Sequence, residues 1–180
     1  MKSLFAALVL CVALPASAQL VIKSNEEQRI SEGVVYSAEY RQAGVSAGGQ
    51  VLVGFITSSR PMIALDRSYG STESSLTIEL YEVAFTGGTN VSMFNRNQVI
   101  GGSSSVVFKS GVTATLGTPI TSRTFIANST TGSASVSINN DASTLILKPS
   151  TSYVVRLVNN GSATASMGLG VTFREMMTTD

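Results

Sequence analysis

The chain has 180 residues, of which 43% are apolar and only 13% are charged. It can therefore form one domain with a hydrophobic core, and it carries about half the usual share of charge. Twelve basic and eleven acidic residues give a formal net charge of +1 without a basic stripe, which argues against binding nucleic acid through its phosphates. The sequence has no histidine, which excludes Ser-His-Asp and Cys-His catalysis and removes the commonest zinc ligand.

The chain begins with a segment that resembles a secretory leader. An apolar run over residues 4–14 follows Lys2 and precedes a small-x-small motif that ends at Ala18. This arrangement predicts cleavage after Ala18, with Gln19 as the new N-terminus. The run is shorter than the roughly 20 residues that a membrane-spanning helix needs, so no stable membrane anchor is expected. The alternative is an uncleaved apolar arm that docks on a partner. The single cysteine, Cys11, lies inside the leader, so the processed chain would have no thiol.

The next segment, residues 19–32, is polar and contains both acidic and basic side chains. We predict that it forms an N-terminal arm. Arms of this kind often contact a neighbouring subunit, and Arg29 is the candidate contact residue in this one. An ordinary frayed terminus is the alternative interpretation.

Four stretches in the first half of the chain are rich in apolar residues that recur at every second position or in short runs, which is typical of β-strands. The clearest alternation predicts that three apolar residues face the core and three others face outward. The predicted strands cover residues 33–41, 50–57, 62–69 and 76–83, and in the last of them Leu76, Ile78 and Leu80 face inward while Thr77, Glu79 and Tyr81 face outward.

Residues 85–105 are predicted to form a long irregular region, because glycine-rich stretches enclose a short polar cluster. The cluster is Asn95-Arg96-Asn97, the most distinctive polar group in the chain. Arg96 is a candidate contact residue for a partner. The alternative is that the neighbouring amides cap the turns of the loop. The arm and this loop together form the predicted interface.

The second half of the chain shows shorter strand patterns and one apparent hairpin. Residues 106–109 and 112–116 are predicted to be two strands around Ser110-Gly111, and further strands are expected near residues 119–126, 135–138 and 145–147. The stretches 152–159 and 166–174 both alternate, and the NNGS sequence between them is a turn signal. We therefore predict an antiparallel hairpin. Its expected inward residues are Tyr153, Val155, Leu157, Met167, Leu169, Val171 and Phe173, and Arg156 and Asn159 are expected on the wetter side or in the turn.

About eight to ten strands at spacings of roughly ten residues, without a convincing helix, predict an all-β, antiparallel, jelly-roll-like β-sandwich. The predicted organisation is a leader at residues 1–18, an arm at 19–32, a single sandwich domain at 33–175 and a short tail at 176–180.

The sequence contains no motif that indicates catalysis or a cofactor. Glu79 and Glu82 lie three residues apart and would face opposite sides of a strand, so they do not form the pair of carboxyl groups that a glycosidase needs. No stretch resembles a calcium-binding loop or a P-loop. We therefore expect a protein that is not an enzyme and that uses no cofactor or metal.

Two blocks of sequence resemble a known family. The first is LYEV at residues 80–83 followed by FNRN at residues 94–97, and the second is LILKP at residues 145–149 followed by RLVNN at residues 156–160. Together with the start of the first strand they resemble small β-sandwich virion proteins of tailed bacteriophages, which are capsid decoration or head structural proteins. The resemblance covers residues 30–175.

The resemblance implies an accessory, non-catalytic role on the surface of a virion. The implied partners are a capsid or other virion protein and further copies of the chain, in a homo-oligomer such as a trimer. The leader departs from this pattern, because phage head proteins assemble in the host cytosol. The alternative is therefore an exported bacterial surface protein, secreted or held at the cell envelope, whose adhesin-like sandwich binds glycan or protein. A secreted hydrolase is the third and weakest hypothesis.

Overall fold

The computed structural model describes residues 34–72, 75–99, 102–126, 134–138 and 145–176. These residues form β-strands and connecting loops, and they contain no helix. The leader, the arm, the turns expected near residues 128–133 and 139–142, and the last residues of the tail lie outside the described ranges. Twelve strands occur in the described residues: β1 (Val35–Val45), β2 (Gln50–Ile56), β3 (Met62–Ser71), β4 (Ser75–Glu82), β5 (Thr86–Asn90), β6 (Met93–Asn95), β7 (Val107–Thr113), β8 (Thr121–Ile126), β9 (Ala134–Ile138), β10 (Leu145–Leu147), β11 (Ser152–Asn159) and β12 (Ala165–Glu175).

The strands form two antiparallel sheets that pack face to face as a sandwich. The first sheet has the order β10-β3-β12-β1-β6, and β9 also pairs with β3. The second sheet has the order β5-β7-β2-β11-β4-β8. The predicted all-β sandwich is therefore confirmed. Strands β1 to β4 alternate between the two sheets, and the jelly-roll connectivity stays a prediction.

The core between the sheets contains a row of aromatic rings that joins the two layers. Tyr36 and Phe173 of the first sheet have ring centroids 5.8 Å apart, and Phe173 lies 5.7 Å from Phe108 of the second sheet. Phe55 continues the row at 5.0 Å from Phe108 and 5.4 Å from Tyr153. Offset rings at these separations attract each other in addition to the area that they bury. The aromatic row thus connects the two layers through the Phe108–Phe173 pair.

The predicted hairpin of β11 and β12 is wrong. β11 lies in the second sheet between β2 and β4, whereas β12 lies in the first sheet between β1 and β3. The inward faces were predicted correctly, because Leu157, Met167 and Phe173 are all fully buried. Alternation determines which face of a strand is apolar, but it does not choose the neighbouring strand. The NNGS segment therefore begins a crossover between the layers, not a hairpin turn.

Two other predictions about local structure need correction. Residues 85–105 are not wholly irregular, since β5 and β6 lie within them. The two short strands expected around Ser110-Gly111 are mostly one strand, β7, which passes through Gly111 at a φ of 66°. Glycine accepts this left-handed conformation without strain, so the strand can bend there and continue. β7 then pairs with both β2 and β5.

Candidate interaction surfaces

Residues 91–99 and 102–106 lie between β5 and β7 of the second sheet and include β6 of the first sheet. The peptide N–H of Val91 donates to the carbonyl of Phe108 at 2.9 Å, and that of Arg96 donates to the carbonyl of Val35 at 2.9 Å. Near the end of the segment, the Ser104 hydroxyl donates to the Glu175 carboxylate at 2.5 Å. These bonds attach the segment to three different strands, so it is held against the sandwich.

The polar cluster at residues 95–97 divides into two amides that shape the loop and one exposed cation. The Asn95 side-chain oxygen accepts from the peptide N–H of Asn97 at 2.8 Å, and the Asn97 side-chain oxygen accepts from that of Val99 at 3.0 Å. Such bonds stabilise successive turns. Asn95 and Asn97 are half-buried, whereas Arg96 is exposed. The amides therefore cap the turns, and Arg96 remains the candidate contact residue.

Two large apolar side chains beside Arg96 are exposed to solvent. Phe94 is 46% exposed and Val99 is 95% exposed. Phe94 lies opposite Ser37 in the pairing of β6 with β1, at the edge of the first sheet. We call Phe94, Arg96 and Val99 the β6 surface. An aromatic, a cation and an aliphatic side chain in one short segment have the composition of a protein-binding surface. The sequence analysis identified Arg96 but missed the apolar pair, whose exposure depends on the short β6 pairing.

The other predicted site residues lie outside the described part of the chain. Arg29 belongs to the arm, and Ala18 and Gln19 flank the proposed cleavage point. The interface formed by the arm together with the loop therefore stays a prediction.

The outer face of the second sheet carries a polar network around one carboxylate. Arg156 donates to Glu79 at 3.1 Å and to Gln50 at 2.7 Å, and the Tyr81 hydroxyl donates to Glu79 at 2.7 Å. Ser122 also donates to Glu79, at 3.4 Å. Arg156 and Glu79 face outward as predicted, but Tyr81, which was predicted to be outward, is only 4% exposed. Hydrogen bonds from three partners therefore hold the Glu79 carboxylate in place on this face.

Burial raises the pKa of three tyrosines, Tyr36, Tyr69 and Tyr81, and so makes the protein sensitive to alkaline pH. Burial raises the pKa of Tyr69, although the charges of Arg67 and Arg123 lower it. Burial also raises the pKa of Tyr81, and the hydrogen bond with Glu79 raises it further. The neutral phenols are therefore favoured in the folded state. The unfolded chain ionises near pH 10, so the free energy of unfolding should fall as the pH rises above about 10.

Urea denaturation between about pH 8 and pH 11 measures this effect. Tyr69→Phe and Tyr81→Phe should each reduce the alkaline loss, and the double variant should reduce it further. If the free energy of unfolding falls equally with pH in the unmodified chain and in all three variants, other groups cause the loss.

The outer face of the first sheet contains a shallow groove of about 520 Å³ along β3, β12 and β1. Gly70, Gly168 and Gly170 form its floor, and Glu39 and Arg41 stand at one side. Both charged side chains are exposed. Gly168 and Gly170 alternate with the inward residues of the last strand and so face outward, but the groove depends on β3 and β1 lying on either side of that strand.

Most edge strands of the described sheets are poorly suited to pairing with another chain; the exception is β9, a five-residue strand without charged residues that pairs with β3. β6 and β10 have three residues each, and β5 contains Gly87 and Gly88 at φ values of 68° and 84°. β8 is longer, but it carries the charged residue Arg123 at its centre. Short strands, irregular backbone and charges are features that prevent edge-to-edge association. Contacts with partners are therefore expected through loops and sheet faces.

The fold and these surfaces define the chain as an antiparallel β-sandwich protein. No protein-family model, curated protein or solved structure matches it. Within the described ranges, no helix is long and apolar enough to cross a membrane, and no group of three or more Cys, Asp or Glu side chains could hold a metal ion.

Proposed function

We propose that this chain is a non-enzymatic structural subunit that decorates or cements a phage capsid or particle surface. Its partners are a capsid or other virion protein and further copies of itself. The observation that carries the proposal is the β6 surface, where Phe94 and Val99 are exposed beside Arg96 on a segment held to the sandwich.

The energetics of the β6 surface favour a protein partner. Exposed apolar side chains gain free energy when a partner covers them, at roughly 25 cal/mol per Å². A segment that hydrogen bonds already hold loses little conformational entropy on binding. Arg96 adds a charged group that can pair with a partner's carboxylate. The resemblance of the LYEV, FNRN and LILKP blocks to phage decoration proteins supports a capsid protein as that partner.

The alternative function is that of an exported bacterial surface module that binds glycan or protein. The apolar run at residues 4–14 and the motif ending at Ala18 favour it. The two proposals differ in where the chain accumulates and in whether the leader is retained.

Fractionation of the producing culture distinguishes the two functions. Particles are separated by density from the envelope and from the supernatant, and the intact mass of the chain is measured in each fraction. The decoration role predicts a constant ratio of the chain to the major capsid protein across the particle peak. A chain that starts at Gln19 and accumulates in the envelope or in the particle-free supernatant would overturn the decoration role in favour of export.

A particle-binding assay tests the β6 surface. Phe94→Ser and Arg96→Ala should each raise the dissociation constant for particles that lack the chain by about tenfold or more, because they remove an aromatic and a cationic contact. Thermal denaturation should be unchanged, since both side chains are exposed. Ile126→Ser is the matched control, because Ile126 is 73% exposed on β8, an edge strand of the second sheet. Equal weakening by the control, or a large fall in melting temperature, would contradict the assignment.

A further inference from the structure

We propose that the outer face of the first sheet is a self-association surface, on which two copies of this chain pack about a two-fold axis. This inference deepens the homo-oligomer part of the proposed function by assigning the surface. It is tested on the purified chain without particles, so the result does not depend on whether the chain binds particles.

The face is open over Gly70 and Gly168, whereas the Ser68 and Glu39 side chains lie over Gly170, where an added Cβ would collide with the Ser68 hydroxyl. A side-chain Cβ added at Gly70 would meet no atom within 4 Å. At Gly168 the nearest atoms would be the Tyr40 carbonyl oxygen and the Arg41 side chain, which belong to the neighbouring strand of the same sheet. Only small or extended side chains therefore stand between a second sheet and the backbone at Gly70 and Gly168.

The charges beside this floor are self-complementary. Glu39 and Arg41 lie two residues apart on β1, so they point to the same side of the sheet and are separated by about 6.8 Å along the strand. A two-fold axis through the position of Tyr40 would run the two β1 strands antiparallel. Glu39 of each copy would then face Arg41 of the other, which gives two ion pairs for one contact.

This arrangement selects a second copy as the occupant. A two-fold interface must be complementary to itself, because each contact between two residues occurs twice, once with the copies exchanged. One acid and one base at symmetric positions on a strand satisfy this requirement, whereas a patch of a single sign would repel its copy. Four of the edge strands, β5, β6, β8 and β10, resist pairing because they are short, irregular or charged, which favours contact through the face.

Charge reversal tests the proposal directly. Sedimentation equilibrium of the purified chain should give twice the chain mass at concentrations where the single variants Glu39→Arg and Arg41→Glu are monomers. Each variant replaces both attractive pairs with like charges, so the dissociation constant should rise about 10- to 100-fold. Circular dichroism and melting temperature should be unchanged, because both side chains are exposed.

The decisive measurement is an equimolar mixture of the two single variants. In the mixed pair, the arginine introduced at position 39 faces the glutamate introduced at position 41, and the native Arg41 faces the native Glu39. The mixture should therefore dimerise with an affinity close to that of the unmodified chain, although each component alone does not. The double variant E39R/R41E should also regain self-association, since its pairs are attractive again.

Arg60→Glu is the matched control, because Arg60 is exposed in the loop between β2 and β3 and the substitution changes the charge as R41E does. It should leave the dimer intact. An unmodified chain that is monomeric at all concentrations tested would overturn the proposal. So would an oligomer that the single reversals do not weaken, or a mixture of the two variants that stays monomeric.

Discussion

Replacement of Phe173 with alanine should lower the free energy of unfolding by about 3–5 kcal/mol, the largest effect expected from a single core position. Phe173 is fully buried on β12 and stands between Tyr36 of its own sheet and Phe108 of the opposite one. The substitution deletes the ring, leaves a cavity and interrupts the aromatic row between the layers. Because domains of this size are stable by only about 5–15 kcal/mol, the variant should be close to unfolding at physiological temperature.

Urea denaturation of the variant and the unmodified chain measures this loss. Phe173→Leu should lose less, because a leucine fills part of the volume and keeps the site apolar. Phe94→Ala is the control for the loss of an aromatic side chain as such, since Phe94 is 46% exposed and should change stability by less than about 1 kcal/mol. Equal losses at positions 173 and 94 would show that the aromatic row does not hold the layers together.

Replacement of Asn159 with alanine should lower the free energy of unfolding by about 2–4 kcal/mol. The Asn159 side chain is fully buried, and its amide donates to the carbonyls of Val45, Ser46 and Ala163 at 3.1, 3.1 and 2.8 Å. Its side-chain oxygen accepts from the peptide N–H of Gly161 at 2.9 Å. These bonds join the loop after β1 to the crossover between β11 and β12. Without the amide, the three carbonyl groups lose this donor, and the loss is most costly at Val45, where the hydrogen bond is buried.

The Asn159→Asp variant tests whether the loss of stability comes from the missing hydrogen bonds or from the change in side-chain volume. Aspartate has nearly the same volume, but at neutral pH its carboxylate cannot donate and would face carbonyl oxygens, so the loss should exceed that of the alanine variant. Asn160→Ala is the control at the adjacent position, because the Asn160 amide donates to the Thr77 hydroxyl on the exposed surface. It should cost less than about 1 kcal/mol. An aspartate variant as stable as the unmodified chain would contradict the assigned role.

The β6 surface adjoins the proposed self-association surface. Phe94 pairs with Ser37, which points to the same side of β1 as Glu39 two residues further on, so Phe94 lies at the edge of the outer face of the first sheet. Self-association of the Phe94→Ser variant should therefore be measured together with its particle binding.

The sequence alone was sufficient for properties that depend on neighbouring residues along the chain. Alternation predicted the all-β class, the strand at residues 62–69 and the inward faces of β11 and β12, because the side chains of an extended strand point to opposite sides in turn. The turn-capping role of Asn95 and Asn97 could also be proposed, since Asx turns form between residues two apart.

Only the tertiary structure decided which strands are neighbours and what covers each outward residue. The hairpin prediction was wrong because alternation is the same for strands that pair and for strands that lie in opposite layers. Asn159 was expected to be wet, yet the loop after β1 encloses it. The glycine groove arises from strands distant in sequence, since β1, β12 and β3 form it together. Long-range pairing sets the surroundings of these residues, and no short-range pattern encodes it.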